Sequence, residues 1–477
     1  MGPNDEVGRV TRREALKTAT AFTILPAGLA RGYAANETVN IGVIGLNRGR
    51  SDARALAAIG QNIAALCDTD STILDKFGAE FPKAQKYQDF RTMMEKEKLD
   101  GVVVATPDHN HAYISVWAMK HKINVYCEKP LTQTVHEARV MAKVMAETKM
   151  ITQMGTGSTA SKNNLRTMEL IQSGAIGEVT DVYLATDRPI WPQGYDRIAG
   201  EDPVPANLNW DLWLGTAAAR PYQGRWPEGH PVQAPENKRV RGPGGTLYHP
   251  FSWRGWTEFG SGAIGDIAPH QTNVIFMALD LPAPSAVEIM ETSGMKKEMY
   301  PEWTVAKWTW AKRGIHPEFH IHWHDGGKIV PESITGPRQP RPPRGGAPGV
   351  ALPQGGGGMT WIGTKGSLPA GRGPYLGQKT DPYPAPPQKD WGREDVYKDW
   401  VEGIRNGKQP SCNFGYAGPF TEAYQLGNIA LRVGHRIEWD ARAFRITNSR
   451  EANQYLRRQE YRRGFDLKEI AGSAFNV

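Results

Sequence analysis

Short apolar runs alternate with helix-like segments through the first third of the chain, and this alternation constrains the fold more than any other feature. Strands that alternate with helices of this length indicate βαβ units with right-handed crossovers. The segments cover residues 39–45, 51–59, 62–67, 89–96, 101–105, 112–121, 124–127, 134–148 and 150–154. The sequence therefore predicts an α/β fold that opens with a parallel sheet.

The first predicted strand runs into a glycine turn, Gly42-Val43-Ile44-Gly45-Leu46-Asn47-Arg48-Gly49-Arg50. A full dinucleotide fingerprint reads G-x-G-x-x-G, with glycines that allow the turn and the close approach of the backbone to a pyrophosphate at a helix start. Here Asn47 replaces the middle glycine, and Gly49 comes one residue early. Because Asn tolerates the left-handed conformation, the turn can survive. We predict cofactor contacts at Gly45, Asn47, Arg48 and Gly49, with Arg48 or Arg50 adding a phosphate contact.

An acid at the end of the second predicted strand supports this interpretation. Asp68 lies 23 residues after Gly45. A carboxylate about 20 residues beyond the turn accepts hydrogen bonds from the adenosine ribose, and its charge repels a 2′-phosphate. NAD is thus favoured over NADP. The alternative, a cap for the next helix, suits Asp70 better than Asp68.

Two later strands end on the same edge of the predicted sheet. One is Val102–Ala105, which runs into Thr106-Pro107-Asp108-His109-Asn110-His111, and the other is Asn124–Cys127, followed by Glu128-Lys129-Pro130. Pro130 cannot continue a ladder, so Glu128 and Lys129 stand at a carboxyl end, where open parallel sheets bind ligands. A lysine held there can exchange a proton with an alcohol, because burial lowers its pKa. A surface Glu–Lys pair is the alternative.

The N-terminus carries an export signal. The run Thr11-Arg12-Arg13-Glu14-Ala15-Leu16-Lys17 precedes an apolar stretch to Ala30 and small residues at Gly32 and Ala34. Paired arginines, a modest apolar region and a small-x-small site predict a twin-arginine signal peptide at 1–34. We expect a periplasmic or otherwise exported protein that uses the twin-arginine export machinery.

Composition narrows the possible partners. The net charge of +7 is mild for 477 residues and no basic stripe occurs, which argues against nucleic acid. No later stretch approaches the length of a membrane span. The three cysteines, Cys67, Cys127 and Cys412, lack metal-site spacing, and Cys67 and Cys127 end apolar runs. We predict buried thiols without a disulfide framework.

With these motifs in order, the chain resembles the glucose-fructose oxidoreductase and inositol dehydrogenase (Gfo/Idh/MocA) family. The resemblance extends to Gly174-Ala175-Ile176-Gly177-Glu178-Val179 and to Gly262-Ala263-Ile264-Gly265-Asp266-Ile267-Ala268-Pro269-His270, which is similar to an Asp-x-x-x-His active-site segment. It implies an N-terminal Rossmann domain at 38–155 and a C-terminal α/β domain at 156–447 with a large, open, mainly antiparallel sheet. It also implies a homo-oligomer that pairs through that sheet.

The resemblance assigns roles position by position. Lys129 would contact the reacting hydroxyl, Asp266 would bind or polarise it, and His270 would act as general acid or base. Glu128 would orient Lys129 or the nicotinamide ribose. The residues expected on the nicotinamide side are Thr106, Pro107 and His111.

Proline chemistry places the Asp266 segment on a helix. Because proline is tolerated in a helix's first turn, we expect Asp266 at or just before the helix start and His270 within that first turn. For His270 itself, a hydrogen-bonded core histidine is the alternative.

The region from 189 to 256 is rich in tryptophan. Its members are Trp191, Trp210, Trp213, Trp226, Trp253 and Trp256. Flat rings can cover the C–H faces of a pyranose, and we expect about two of the six at the site. The best substrate loop is Tyr248–Trp256, with His249, Trp253 and Arg254 as substrate-binding residues, and Asp211 nearby could bind hydroxyls.

Three further segments have open roles. His320, His322 and His324 share one face of a predicted strand and could bind a divalent metal, but an exposed or interface face is favoured, so we predict no metal site. The Pro- and Gly-rich segment 331–358 is expected to be a flexible loop. The tail, 448–477, is either a partner-wrapping arm or an amphipathic surface segment.

The predicted export signal narrows the function that we expect. The twin-arginine route carries folded proteins, so a cofactor can be loaded in the cytoplasm, and a tightly held NAD must then be recycled within the enzyme. The first hypothesis is an oxidoreductase that moves hydride between bound NAD and a ring hydroxyl of a sugar or polyol. The second is an NAD-dependent, redox-assisted glycosidase, and the third is a non-catalytic exported sugar-binding protein.

Overall fold

The structure is a computed structural model that describes residues 38–234, 245–314, 316–335, 358–368, 387, 389–393 and 395–477. The predicted signal peptide at 1–34 lies outside the described residues, and so does 336–357 of the predicted loop. Export and periplasmic location therefore stay predictions.

The first sheet has six parallel strands in the order β3-β2-β1-β4-β5-β6. The strands are β1 Asn40–Ile44, β2 Asn62–Cys67, β3 Gln85–Tyr87, β4 Gly101–Val104, β5 Asn124–Glu128 and β6 Thr152–Gly155. The alternation in the sequence predicted this sheet, except for the three-residue β3, which has no buried position. The chain order reverses between β1 and β4, the point where such sheets bind ligands.

Five helices connect these strands. They are α1 Leu46–Ala58, α2 Ser71–Gly78, α3 Phe90–Lys96, α4 His111–Lys120 and α5 Val135–Thr148. Polar caps fix where two of them begin, because a side-chain oxygen satisfies backbone donors that have no helical partner. Asp70 accepts from the N–H groups of Thr72 and Ile73, and Thr134 forms a capping box with Glu137.

The second sheet has eight strands in the order β12-β11-β7-β10-β9-β8-β13-β14. They are β7 Val179–Ala185, β8 Ala286–Thr292, β9 Thr304–Trp310, β10 Phe319–His324, β11 Gly358–Gly363, β12 Gly366–Leu368, β13 Ile437–Asp440 and β14 Arg445–Ile446. Only the β7–β10 pair is parallel. The predicted α/β fold class, with a parallel first sheet and a mainly antiparallel second sheet, is confirmed.

Helices cover one face of the second sheet. The remaining helices are α6 Lys162–Gln172, α7 Trp210–Leu214, α8 Gly262–Leu279, α9 Glu332–Thr335, α10 Val396–Asn406, α11 Phe414–Val433 and α12 Leu467–Ala471. Alternate β10 residues Phe319, Ile321 and Trp323 are buried in the same core as α6, α8 and α11. The indole of Trp308 on β9 donates to the Ala423 carbonyl of α11 at 2.8 Å, which fixes helix to sheet.

The opposite face carries the three histidines of β10. His322 is 2.9 Å from an Asp181 carboxylate oxygen and stacks on Tyr183 at a centroid distance of 4.1 Å. His320 pairs with Glu318, and His324 contacts the Leu184 carbonyl. No three His, Cys, Asp or Glu residues in the described part of the chain are grouped to hold a metal. Assembly through this face stays a prediction.

Helix α10 packs back onto the first domain although it lies late in the chain. Trp400 is fully buried, lies against Gly101 of β4 and meets the Tyr126 ring at a centroid distance of 5.6 Å. A Cβ on Gly101 would lie 2.8 Å from the Trp400 ring, so the glycine makes room for the indole. A segment from far along the sequence thus covers β4 and β5 of the first sheet.

The C-terminal tail wraps its own chain. Arg458 is almost fully buried and pairs with Glu258 at 2.6 Å and with Glu137 at 3.9 Å. Phe465 and Leu467 are buried in the main core. The tail thus packs its apolar residues against this same chain. Whether it also binds a partner stays a prediction.

All three cysteines are buried free thiols, as predicted for Cys67 and Cys127. Among the described residues, no helix combines the length and apolar character that a membrane crossing requires.

Truncation of Trp400 tests the packing of α10. Trp400→Ala is expected to lower the free energy of unfolding by about 3–5 kcal/mol, because it leaves a large cavity beside β4. Urea denaturation measures the loss. Met290→Ala, at a side chain 52% exposed on β8, is the control and is expected to change stability by less than about 0.5 kcal/mol. Equal effects of the two changes would contradict this packing.

Candidate active site

A cavity of about 320 Å³ lies at the carboxyl ends of β1, β2, β4 and β5. The residue that follows each of these strands lines it: Gly45, Asp68, Ala105 and Lys129. The predicted residues that line the cavity are Gly45, Asn47, Arg48, Asp68, Thr106, Pro107, His111, Glu128, Lys129, His249, Trp253 and Arg254. Residues far apart in the sequence thus meet in one site.

The glycine turn forms one end of this cavity. Gly45 has a φ of 86°, and a Cβ there would lie 2.5 Å from the Ala105 carbonyl oxygen, so only glycine fits. Gly45 precedes α1 and has no side chain to cap it, which leaves helix N–H groups open to a phosphate. Gly49 does not line the cavity. It lies against Val43 and allows α1 to pack closely on β1.

Asp68 is fixed by backbone donors. Its carboxylate accepts from the N–H of Leu46 at 2.7 Å and from the N–H of Asp70 at 3.0 Å. Burial raises the pKa of Asp68, and these hydrogen bonds oppose that shift. Asp70 caps α2, as expected, whereas Asp68 faces the cavity. The position fits the ribose of a dinucleotide bound along the glycine turn.

Arg48 lies between two acidic residues. Its Nη2 is 2.9 Å from Glu128 Oε1 and 3.3 Å from Asp52 Oδ1. Burial and the charge of Glu128 raise the pKa of Asp52 to about 7. Arg50 pairs instead with Glu80 at 3.0 Å, so Arg48 is the arginine that reaches the cavity.

Glu128 also fixes the backbone beside the central lysine. Its Oε2 accepts from the Lys129 N–H at 3.3 Å. His111 joins the two neighbouring strand ends, with its ring nitrogens 2.8 Å from the Pro130 carbonyl oxygen and 2.9 Å from that of Thr106. Burial lowers the pKa of His111 to about 4. These contacts fix the turn at Lys129–Pro130 against the turn at Thr106–Pro107.

The centre of the site is an ion pair between the two domains. Lys129 Nζ lies 3.0 Å from Asp266 Oδ1 and 2.9 Å from the Asp266 carbonyl oxygen. Arg254 Nε lies 3.2 Å from the same Oδ1. Burial would raise the pKa of Asp266, but the cations of Lys129 and Arg254 outweigh it and lower the pKa to about 2. Asp266 is therefore a carboxylate that holds both cations.

The prediction that Asp266 lies at a helix start is wrong. Helix α8 already begins at Gly262, and Pro269 lies inside it. Pro269 has no N–H, so the Gly265 carbonyl loses its helical donor, a cost that the packing of this mostly buried helix tolerates. Asp266 and His270, four residues apart on α8, nonetheless share a helix face.

His270 is exposed and does not line the cavity. Despite that exposure, the protein packed around its ring lowers the pKa of the imidazole to about 4, with Lys129 adding to the effect. His270 is thus a neutral base at neutral pH, and it is not the hydrogen-bonded core histidine of the alternative reading.

The substrate loop is tied to both domains. His249 Nε2 lies 3.0 Å from Asp70 Oδ2, and the Arg254 guanidinium lies 4.3 Å from the centroid of the Trp253 ring. Trp213 and Trp253 line the cavity, whereas the other tryptophans of the region do not. Asp211, expected near the substrate, instead pairs with Arg462 of the tail.

Several cavity residues were not predicted individually as site residues. They include Gln88, Phe90, Asp108, Tyr113 and Phe465, and also Phe251, which lies within the predicted substrate loop Tyr248–Trp256. Phe465 of the tail packs on Tyr113 at a centroid distance of 5.5 Å, and Arg91 lies 4.8 Å from its ring. The Tyr113 hydroxyl donates to the Gly464 carbonyl at 3.1 Å, which holds the tail against the first domain. Only the folded chain brings this aromatic residue to the cavity.

Comparison with known proteins identifies the first domain. Residues 39–156 match the family model described as "Oxidoreductase family, NAD-binding Rossmann fold" (GFO_IDH_MocA). These residues form an NAD-binding Rossmann domain. These residues are thus similar to the Gfo/Idh/MocA oxidoreductases, and the glycine turn, Asp68 and the open helix start of α1 fit an NAD cofactor.

Curated relatives align over about a third of the chain. A glycosyl hydrolase family 109 protein of Solibacter usitatus is 32% identical over 196 residues, which cover 36% of this chain and 44% of the relative. An inositol 2-dehydrogenase of Salmonella paratyphi B is 28% identical over 145 residues, which cover 29% of this chain and 42% of the relative. The chain therefore spans less than half the length of these relatives.

Solved structures share the fold over most of the chain. The WlbA dehydrogenase from Bordetella pertussis, in complex with NADH and UDP-GlcNAcA, superposes with a TM-score of 0.56 and 15% identity. The match covers 85% of this chain and 99% of that chain. At this identity the likeness establishes the fold alone.

Phe465→Ala tests whether the tail closes the cofactor cavity. We expect NAD to bind about tenfold more weakly, a loss of about 1.4 kcal/mol, because an aromatic wall of the cavity is removed. The release rate of bound NAD measures the change. Phe475→Ala is the matched control, since Phe475 lies in the same tail but packs on His136 outside the cavity. If the Phe465→Ala protein releases NAD at the wild-type rate, the tail does not help to close the cavity.

Proposed function

We propose that the protein is an oxidoreductase that transfers hydride between a tightly bound NAD and a ring hydroxyl of a sugar or polyol. One observation carries the proposal. Lys129, held by its ion pair with Asp266, stands in the same cavity wall as the glycine turn and Asp68, so a hydroxyl held by Lys129 and a cofactor held by the turn would meet there.

We assign each residue of the site a separate role in the reaction. Lys129, as an ammonium, donates a hydrogen bond to the reacting oxygen, while Asp266 and the Asp266 carbonyl fix its direction. His270, neutral at neutral pH, accepts a proton from the site or returns one. NAD, when bound, supplies the hydride acceptor or donor.

The cavity wall fits a carbohydrate. Trp213, Trp253 and Phe251 supply flat apolar surfaces for ring C–H groups, and His249 and Arg254 supply donors for hydroxyls. The relationship to an inositol 2-dehydrogenase supports a polyol or sugar as substrate class.

A second candidate is an NAD-dependent glycoside hydrolase. The observation that favours it is the 32% identity to a glycosyl hydrolase family 109 protein over 196 residues. In that chemistry, ring oxidation acidifies a neighbouring C–H, elimination expels the aglycone, water adds, and the hydride returns to the sugar. Lys129, Asp266 and His270 would serve both reactions.

Addition of sugar to the purified protein tests the proposal. We expect a sugar or polyol to change the near-ultraviolet absorbance of the bound nicotinamide, because hydride transfer alters that chromophore. Lys129→Ala is expected to slow the change at least about 100-fold while it retains bound NAD, as checked by mass spectrometry. The control is Lys96→Ala, an exposed lysine on α3 of the same domain. A protein that neither carries nor takes up NAD would refute both enzymatic proposals and leave the sugar-binding alternative.

Product analysis separates the two reactions. An oxidoreductase yields a ketone or lactone product in an amount equal to the NADH formed in a single turnover. A glycosidase instead releases free sugar over many turnovers with no net change in the nicotinamide. Chromatography of the products after incubation with aryl glycosides and with free sugars decides which reaction occurs.

A further inference from the structure

A buried carboxyl, Asp108, lines the cavity beside the Lys129–Asp266 pair. It lies in the 3-10 turn Asp108–Asn110, which follows β4. Only 2% of the residue is exposed, and its Oδ2 has no hydrogen-bond partner. Buried carboxyl oxygens are normally hydrogen-bonded, because an unsatisfied one is costly. Asp108 lines the cavity, and its unpartnered oxygen is the atom whose missing hydrogen bond a ligand could supply.

Both positively and negatively charged side chains act on Asp108. Lys129 and Arg254 interact favourably with its carboxylate, whereas Asp266 repels it. A hydrogen bond with Ser261 also favours the carboxylate. The uncharged titratable groups that face Asp108 are Cys127, Tyr300 and Tyr424. Opposing charges therefore act on the Asp108 carboxyl from within the site.

The proposed reaction lacks a well-matched proton acceptor. Lys129, as the ammonium partner of Asp266, has no free electron pair to take a proton. His270 is a weak base, because the protein packed around its ring and the charge of Lys129 lower its pKa to about 4. Burial, with the charge of Asp266, raises the pKa of Asp108 to about 7, which is close to that of an efficient acid–base group at neutral pH.

We propose that Asp108 is an acid–base residue of this site that exchanges its proton with the substrate hydroxyl. This inference rests on the proposed function. In the oxidation direction the substrate O–H bond breaks and its proton forms the O–H bond of the Asp108 carboxylic acid. The electron pair left on oxygen forms the carbonyl, and the hydride of the neighbouring C–H passes to NAD⁺. Reduction reverses each transfer, and the carboxylic acid then returns its proton to the new alkoxide.

Infrared spectroscopy of the NAD⁺-loaded protein tests the proton on Asp108 without any substrate. The wild type is expected to show a protonated-carboxyl band that disappears as the pH rises through about 7, and Asp108→Asn is expected to lose part of that band. Asp325→Asn is the matched control. Asp325 is also buried, and burial also raises its pKa to about 7, but both of its oxygens accept hydrogen bonds, from Thr304 and Trp323, and it does not line the cavity.

Kinetics test the exchange itself. The probes are myo-inositol, D-glucose and the phenyl glycoside of N-acetylhexosamine, and the readout is the rate of reduction of the bound nicotinamide. In the wild type this rate is expected to rise with pH through about 7, because only the carboxylate can accept a proton. Asp108→Asn is expected to be about 100-fold slower and independent of pH in this range, whereas Asp325→Asn keeps the wild-type profile. Asp108→Ser serves in its place if the Asn variant does not fold.

An Asp108→Asn protein with the wild-type pH profile, or with an unchanged infrared band, would overturn the inference. A different result would refute the proposed function: no probe reduces the nicotinamide of the wild type, although the Asp108-dependent infrared band still changes with pH. The proton-exchange step would then fail together with the proposed function. If the wild type turns over and only the Asp108 result is negative, the proposed function stands without this residue.

Discussion

The ion pair between Lys129 and Asp266 is the interaction on which the site depends. Lys129 comes from the end of β5 in the first domain, and Asp266 comes from α8 beside the second sheet. Their charged atoms are 3.0 Å apart and largely shielded from water, so each ion needs the other. The pair therefore sets how the strand ends that hold NAD face the loop that carries His249, Trp253 and Arg254.

Around this pair, further charges are arranged so that few lack a partner. Arg254 shares the Asp266 carboxylate, and Arg48 shares Glu128 with the backbone N–H of Lys129. In a site of low polarity such contacts orient each group strongly, because water does not screen them. Asp52 and Asp108 are exceptions, since one oxygen of each has no partner. Of the two, Asp108 is the one that lines the cavity.

The parallel sheet and the strand-end residues could be predicted because they depend on local pattern. The alternation of apolar runs predicted five of the six strands, and strand ends predicted the positions of Asp68, Glu128 and Lys129 at one edge. The position of Pro269 misled the prediction for α8, since tertiary packing tolerated a proline that local propensity disfavours. Asp108 and Phe465 could not be found from sequence, because their burial and their neighbours arise only when distant segments pack together.

A double variant tests the central role of the Lys129–Asp266 pair most directly. Lys129→Met and Asp266→Asn should each lower the melting temperature, because each removes one partner of a buried ion pair. The double variant should recover part of that stability and bind NAD as the wild type does, yet no sugar should reduce its nicotinamide. A double variant no more stable than the weaker single variant, or one that still transfers hydride at the wild-type rate, would contradict the account.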